Sequence, residues 1–62
     1  MIARTVRDMR PGDVLTVPKR TAAAMVREAR RMVVRRRAPS TLLLTRKQTH
    51  HRSDTCTVER IA

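Results

Sequence analysis

Arginine is the residue whose type and spacing carry chemistry in this chain. Its guanidinium presents a planar fork of N–H donors that matches phosphate or carboxylate, and it stays charged throughout the ordinary pH range. At about 100° per residue, Arg20, Arg27, Arg31 and Arg35 fall on one side of a helix, with Arg30 and Arg37 on its flank. Ala22, Met25, Val26, Ala29, Met32 and Val33 fall on the other side, and only Glu28 interrupts the positive field. Like charges three and four residues apart destabilise an isolated helix by roughly 0.2–0.5 kcal/mol per pair. A chain that repeats such pairs is built to meet a polyanion on that face. From Arg20 to Arg35 the stripe spans on the order of 22 Å, enough to follow several phosphates. With about six to eight phosphate contacts, binding should fall by roughly 10³ or more between 50 and 200 mM salt.

A second basic cluster, Arg46-Lys47 and His50-His51-Arg52, lies in a polar stretch without glycine. A basic loop beside a basic helix could reach a neighbouring stretch of backbone. The candidate nucleic-acid contacts are therefore Arg20, Arg27, Arg30, Arg31, Arg35, Arg37, Lys47 and Arg52. A metal site built from His50, His51 and Cys56 is disfavoured, because adjacent histidines point apart and no Cys-x-x-Cys or His-x3-His spacing is present. Catalysis has little to rest on. Cys56 alternates with apolar residues as a buried small hydrophobe would, and the five Asp and Glu form no pair. Gly12 is the only glycine, so there is no phosphate-cradling loop. The expectation is a protein that is not an enzyme and uses no cofactor.

Composition points the same way. Sixty-two residues make one small domain, and its formal charge of +10 comes from 15 Lys and Arg against 5 Asp and Glu. Charge of that size weakens a compact monomer and is relieved by an anionic partner. Phe, Tyr and Trp are absent, which removes both the large rings of a small core and the stacking platforms of single-strand binders. Binding must then rest on phosphate contacts, on arginine at base edges, or on shape. A core of Ala, Val, Leu, Ile and Met alone is marginal at this size, so a homo-oligomer is expected. One cysteine cannot form an internal disulfide, and the longest strong apolar run is Leu42-Leu43-Leu44. A soluble, cytoplasmic protein with no membrane partner is the natural reading.

The elements that must position these residues follow from pattern. Residues 1–9 read as an arm in which Ile2, Val6 and Met9 could make a helical half-face, or Thr5-Val6-Arg7 a short edge strand. Arg10-Pro11-Gly12-Asp13 has a type II turn signature. A strand is predicted over 13–17 and a helix over 20–37, capped by Thr21 or begun earlier at Pro18 and stopped by Pro39. Further strands are predicted over 40–46 and 55–61. The order β-α-β-β gives an α+β fold, one amphipathic helix packed on a small three-stranded sheet in two layers. With the last strand central the sheet would be all-antiparallel; with the 40–46 strand central it would contain a parallel crossover.

Pro11-Gly12-Asp13, the Ala/Arg-rich segment from Ala22 to Arg37, Thr45-Arg46-Lys47 and Val58-Glu59-Arg60-Ile61 together resemble small uncharacterised bacteriophage proteins. The chain lacks the aromatic residue expected just before Arg60. This resemblance implies a phage origin, hence a bacterial host cell, and no specific activity. Two functions fit the residues. One is a nucleic-acid-binding protein, with double-stranded DNA favoured over RNA. The other is a phage-type inhibitor or adaptor that docks its basic helix on an acidic host protein. A basic subunit of a larger ribonucleoprotein or virion assembly is a third.

Overall fold

The chain order is α1 (Ile2–Asp8), β1 (Val14–Pro18), α2 (Lys19–Val34), β2 (Leu44–Gln48) and β3 (Thr55–Arg60). These elements come from a computed structural model that describes residues 2–49 and 52–62. His50 and His51 of the basic loop lie outside the described residues. The three strands form one antiparallel sheet in the order β1-β3-β2, so the last strand is central and the two edge strands run parallel to each other. α2 packs on one face of it and α1 packs against α2, which makes a two-layer α+β fold.

Of the two local forms open to the N-terminal arm, residues 2–8 take the helical one and not the edge strand, and they dock on the core instead of standing apart. Seven residues cannot hold a helix by propensity alone. Val6 and Met9 are buried at 1% and 3% exposure in the common core, and that burial supplies what propensity does not. The turn after it is as its residues require. Pro11 sets the second position, Gly12 takes φ +92°, and Asp13 N–H donates to the Arg10 carbonyl at 2.9 Å. The Asp13 carboxylate accepts from Arg10 N–H, also at 2.9 Å, which closes the turn from the other side.

β1 begins at Val14, one residue later than predicted, although Asp13 already accepts from Arg60 N–H at 3.0 Å. It passes into α2 without a loop. Pro18 is the extended residue before the helix, and Lys19 N–H donates to the Asp54 carbonyl at 2.9 Å. Thr21 therefore sits inside the first turn and is not the cap. The far end closes at Val34, three residues before the predicted stop at Arg37. Arg36 adopts φ +57°, with Arg36 N–H bonded to Val33 O and Arg37 N–H to Met32 O. These two bonds are a Schellman closure with arginine at the left-handed position that glycine usually fills.

β2 lies over 44–48, shifted toward the C-terminus from the predicted 40–46. Leu42 N–H donates to the Pro39 carbonyl, so 39–42 is a turn, and Leu42 packs on the core from that turn. β3 ends at Arg60. Leu44, Cys56 and Val58 are buried on the helix side and meet Ala22, Met25, Ala29 and Met32 of α2. Cys56 is thus the small buried hydrophobe its alternating strand implies. No buried polar or charged side chain occurs among the described residues. No helix among them is long and apolar enough to cross a membrane.

Candidate nucleic-acid interface

Burial fixes the rotation of α2 about its axis. Ala22, Met25, Ala29 and Met32 face the sheet and α1, so Arg20, Arg27 and Arg31 must face away from them, and all three are exposed. Between Arg20 and Arg31 the row spans about 16 Å of rigid helix. Arg35 is the C-cap residue with near-helical backbone (φ −84°, ψ 6°) and extends the row by about one turn. Arg30 is exposed on the flank. Glu28 leans to Arg31 at 4.0 Å, a partly exposed contact that offsets little of the field.

The remaining candidates separate. Alternation in β2 turns Leu44 and Arg46 toward the side that carries α2, and Thr45 and Lys47 toward the other. Lys47 consequently lies on the opposite face of the molecule from the helix row. Arg46, which sequence reasoning named only as part of the loop cluster, is exposed on the helix side. Arg52 is exposed at the hairpin tip. The base of that tip is tied by side chains. Thr55 N–H donates to Ser53 Oγ at 3.0 Å, Ser53 Oγ and Thr55 Oγ1 lie 2.7 Å apart, and Gln48 Nε2 donates to the Ser53 carbonyl at 3.1 Å.

Arg37 departs from the helix row because Arg36 reverses the chain. It lines a crevice of about 100 Å³ with Arg7 of α1 and Arg60 of β3, over a floor that includes Val6, Met32 and Leu42. Arg60 is held there by Nη1 donating to the Met9 carbonyl at 2.5 Å and Nε donating to the Ala62 carbonyl at 3.2 Å. Arg7 and Arg60 were not among the sequence candidates. The spacing of Ile2, Val6 and Met9 was the signal for the helix that carries Arg7. Nothing in the sequence signals that Arg60 and Arg37 converge on it.

Glu28 lies on α2 itself and Asp54 meets its first turn, while the other three acidic residues lie elsewhere. Asp8 is 4.0 Å from Arg4 on α1, Asp13 closes its turn, and Glu59 sits on the sheet side away from the helices. The geometry can therefore offer a polyanion a straight, one-sign row of guanidinium groups. No known protein family, curated protein or solved structure matches this chain.

Proposed function

We propose that this chain is a non-enzymatic, phage-type nucleic-acid-binding protein that grips phosphates with the arginine face of α2. The single observation that carries the reading is the rigid, outward row Arg20-Arg27-Arg31, continued by Arg35 and flanked by Arg30. A helix whose other side is locked into a core holds its cations at fixed spacing, which suits the regular phosphates of a duplex. Double-stranded DNA is the favoured form. Without aromatic side chains there is no stacking platform, so sequence preference is low unless an arginine enters a groove. Lys47 lies outside this footprint, and Arg52 reaches it only if the nucleic acid extends past the hairpin tip. The protein acts in the cytoplasm of a bacterial host, as a homo-oligomer.

Fluorescence anisotropy against labelled duplex DNA, single-stranded DNA and duplex RNA, from 50 to 300 mM salt, tests this. Submicromolar binding near 150 mM salt with preference for one form supports the proposal. Absence of binding there, or weak binding indifferent to form, counts against it.

The crevice supports a second reading. Its apolar floor rimmed by Arg7, Arg37 and Arg60 would take an aliphatic side chain flanked by carboxylates, as an acidic host protein could supply. A stoichiometric protein captured from nuclease-treated host lysate, and released by Arg7→Glu, would favour that reading over the first.

A further inference from the structure

The sheet has a second face, and it differs from the rest of this strongly basic surface. Direct pairing puts Val14, Glu59 and Thr45 in one row on the side away from the helices, and Thr16, Thr57 and Lys47 in the next. The β2–β3 ladder continues through Ile61 N–H donating to Leu43 O at 2.9 Å, which adds Leu43 and Ile61 to the same side. Leu42 and Leu44, on either side of Leu43, both pack inward. Val14, Leu43 and Ile61 are 54%, 51% and 52% exposed, a cluster of apolar side chains at one end of an uncovered sheet.

Charge decides what can cover it. The chain carries a formal +10, yet the charged side chains of this strand face are Lys47 and Glu59, which cancel. A second copy approaching the helix side would meet arginine with arginine. Approaching the sheet side, it meets threonine, three half-exposed aliphatics and a balanced charge pair. The pair is also self-complementary. In a two-fold contact, Lys47 of one copy placed against Glu59 of the other generates the reciprocal pair without further adjustment. Neither residue takes part in an ion pair within the chain among the described residues. A standard interface takes about 800 Å² per partner, about a sixth of the 4874 Å² this chain exposes.

We infer that the uncovered face of the sheet is the docking surface for a second copy of this chain, centred on Thr57 and closed by reciprocal Lys47–Glu59 pairs. Both arginine helices are left on the outside of the dimer. Because the copies repel through their net charge and attract mainly through uncharged surface, salt strengthens the association. That sign is opposite to the one for phosphate binding. The inference stands whether or not the arginine row binds nucleic acid, since the test contains none.

Sedimentation equilibrium of the purified, nucleic-acid-free chain at 50 and 500 mM salt is the experiment. Expected is a monomer–dimer equilibrium whose dissociation constant falls at least tenfold at high salt. Thr57→Lys, with circular dichroism confirming its fold, should raise that constant at least tenfold. At 500 mM salt Lys47→Glu and Glu59→Lys should each weaken the dimer, and the double reversal, which keeps the net charge, should restore it to within a few-fold. A chain monomeric at every concentration overturns the inference. So does a dimer indifferent to Thr57→Lys, or a double reversal weaker than both single ones.

Discussion

Arg36 and Gly12 hold the two left-handed backbone positions of the described chain, and only one of them is glycine. An L-residue with a side chain at such a φ costs about 1–2 kcal/mol relative to glycine. Arg36→Gly is therefore expected to stabilise the fold by about 1 kcal/mol, a rise in Tm of roughly 4–8 °C for a domain of this size. Arg36→Ala removes the same charge but keeps the strain, so it should gain less, and thermal melts of the two variants separate backbone from charge. Gly12→Ala runs the other way. Nothing lies within 4 Å of the added Cβ, so its cost is wholly the backbone at φ +92°. A loss of roughly 1–2 kcal/mol in urea unfolding is expected.

At the scale of elements, α2 organises the molecule. Met25 is fully buried near its centre, within the common core cluster. Met25→Ala should cost about 2–5 kcal/mol, which in so small a domain removes most or all of the folding free energy. Urea titration followed by circular dichroism would show the transition shifted to far lower denaturant or lost. The α2 face was legible in the sequence because a period near 3.6 residues ran unbroken from Ala22 to Val33, and the exposure of Arg20, Arg27 and Arg31 followed from it. The strand at 55–60 was legible through its alternation. Where the reading slipped, the local signal was short or belonged to another element. α1 offers only Ile2, Val6 and Met9, and its helix depends on α2 being there. Leu42-Leu43-Leu44 reads as a strand, but Leu42 packs from the turn after Pro39, which moves the ladder toward Gln48. The helix end was missed because its closure uses arginine where glycine would have announced it. The crevice of Arg7, Arg37 and Arg60 joins three separate parts of the chain, and Lys47, read as a loop residue, falls inside β2, where strand alternation turns it away from the helix row.

For the whole molecule, the two layers divide the charge. The helix layer carries the arginine row outward, while the strand face carries threonine, aliphatic residues and one balanced pair. The two proposed interactions are expected to have opposite salt dependences, weakening for phosphate binding and strengthening for self-association, so they can be followed separately in one preparation. The central claim is that the arginine row of α2 neutralises phosphates. Its most direct test is the slope of log K against log salt for duplex DNA, compared between the wild-type chain and the Arg27→Ala/Arg31→Ala/Arg35→Ala variant. Each phosphate contact adds about 0.9 to the slope, so the variant should lose about 2.7 of it, along with most of its affinity near 150 mM salt. A variant that keeps both slope and affinity, while remaining folded, would contradict the account.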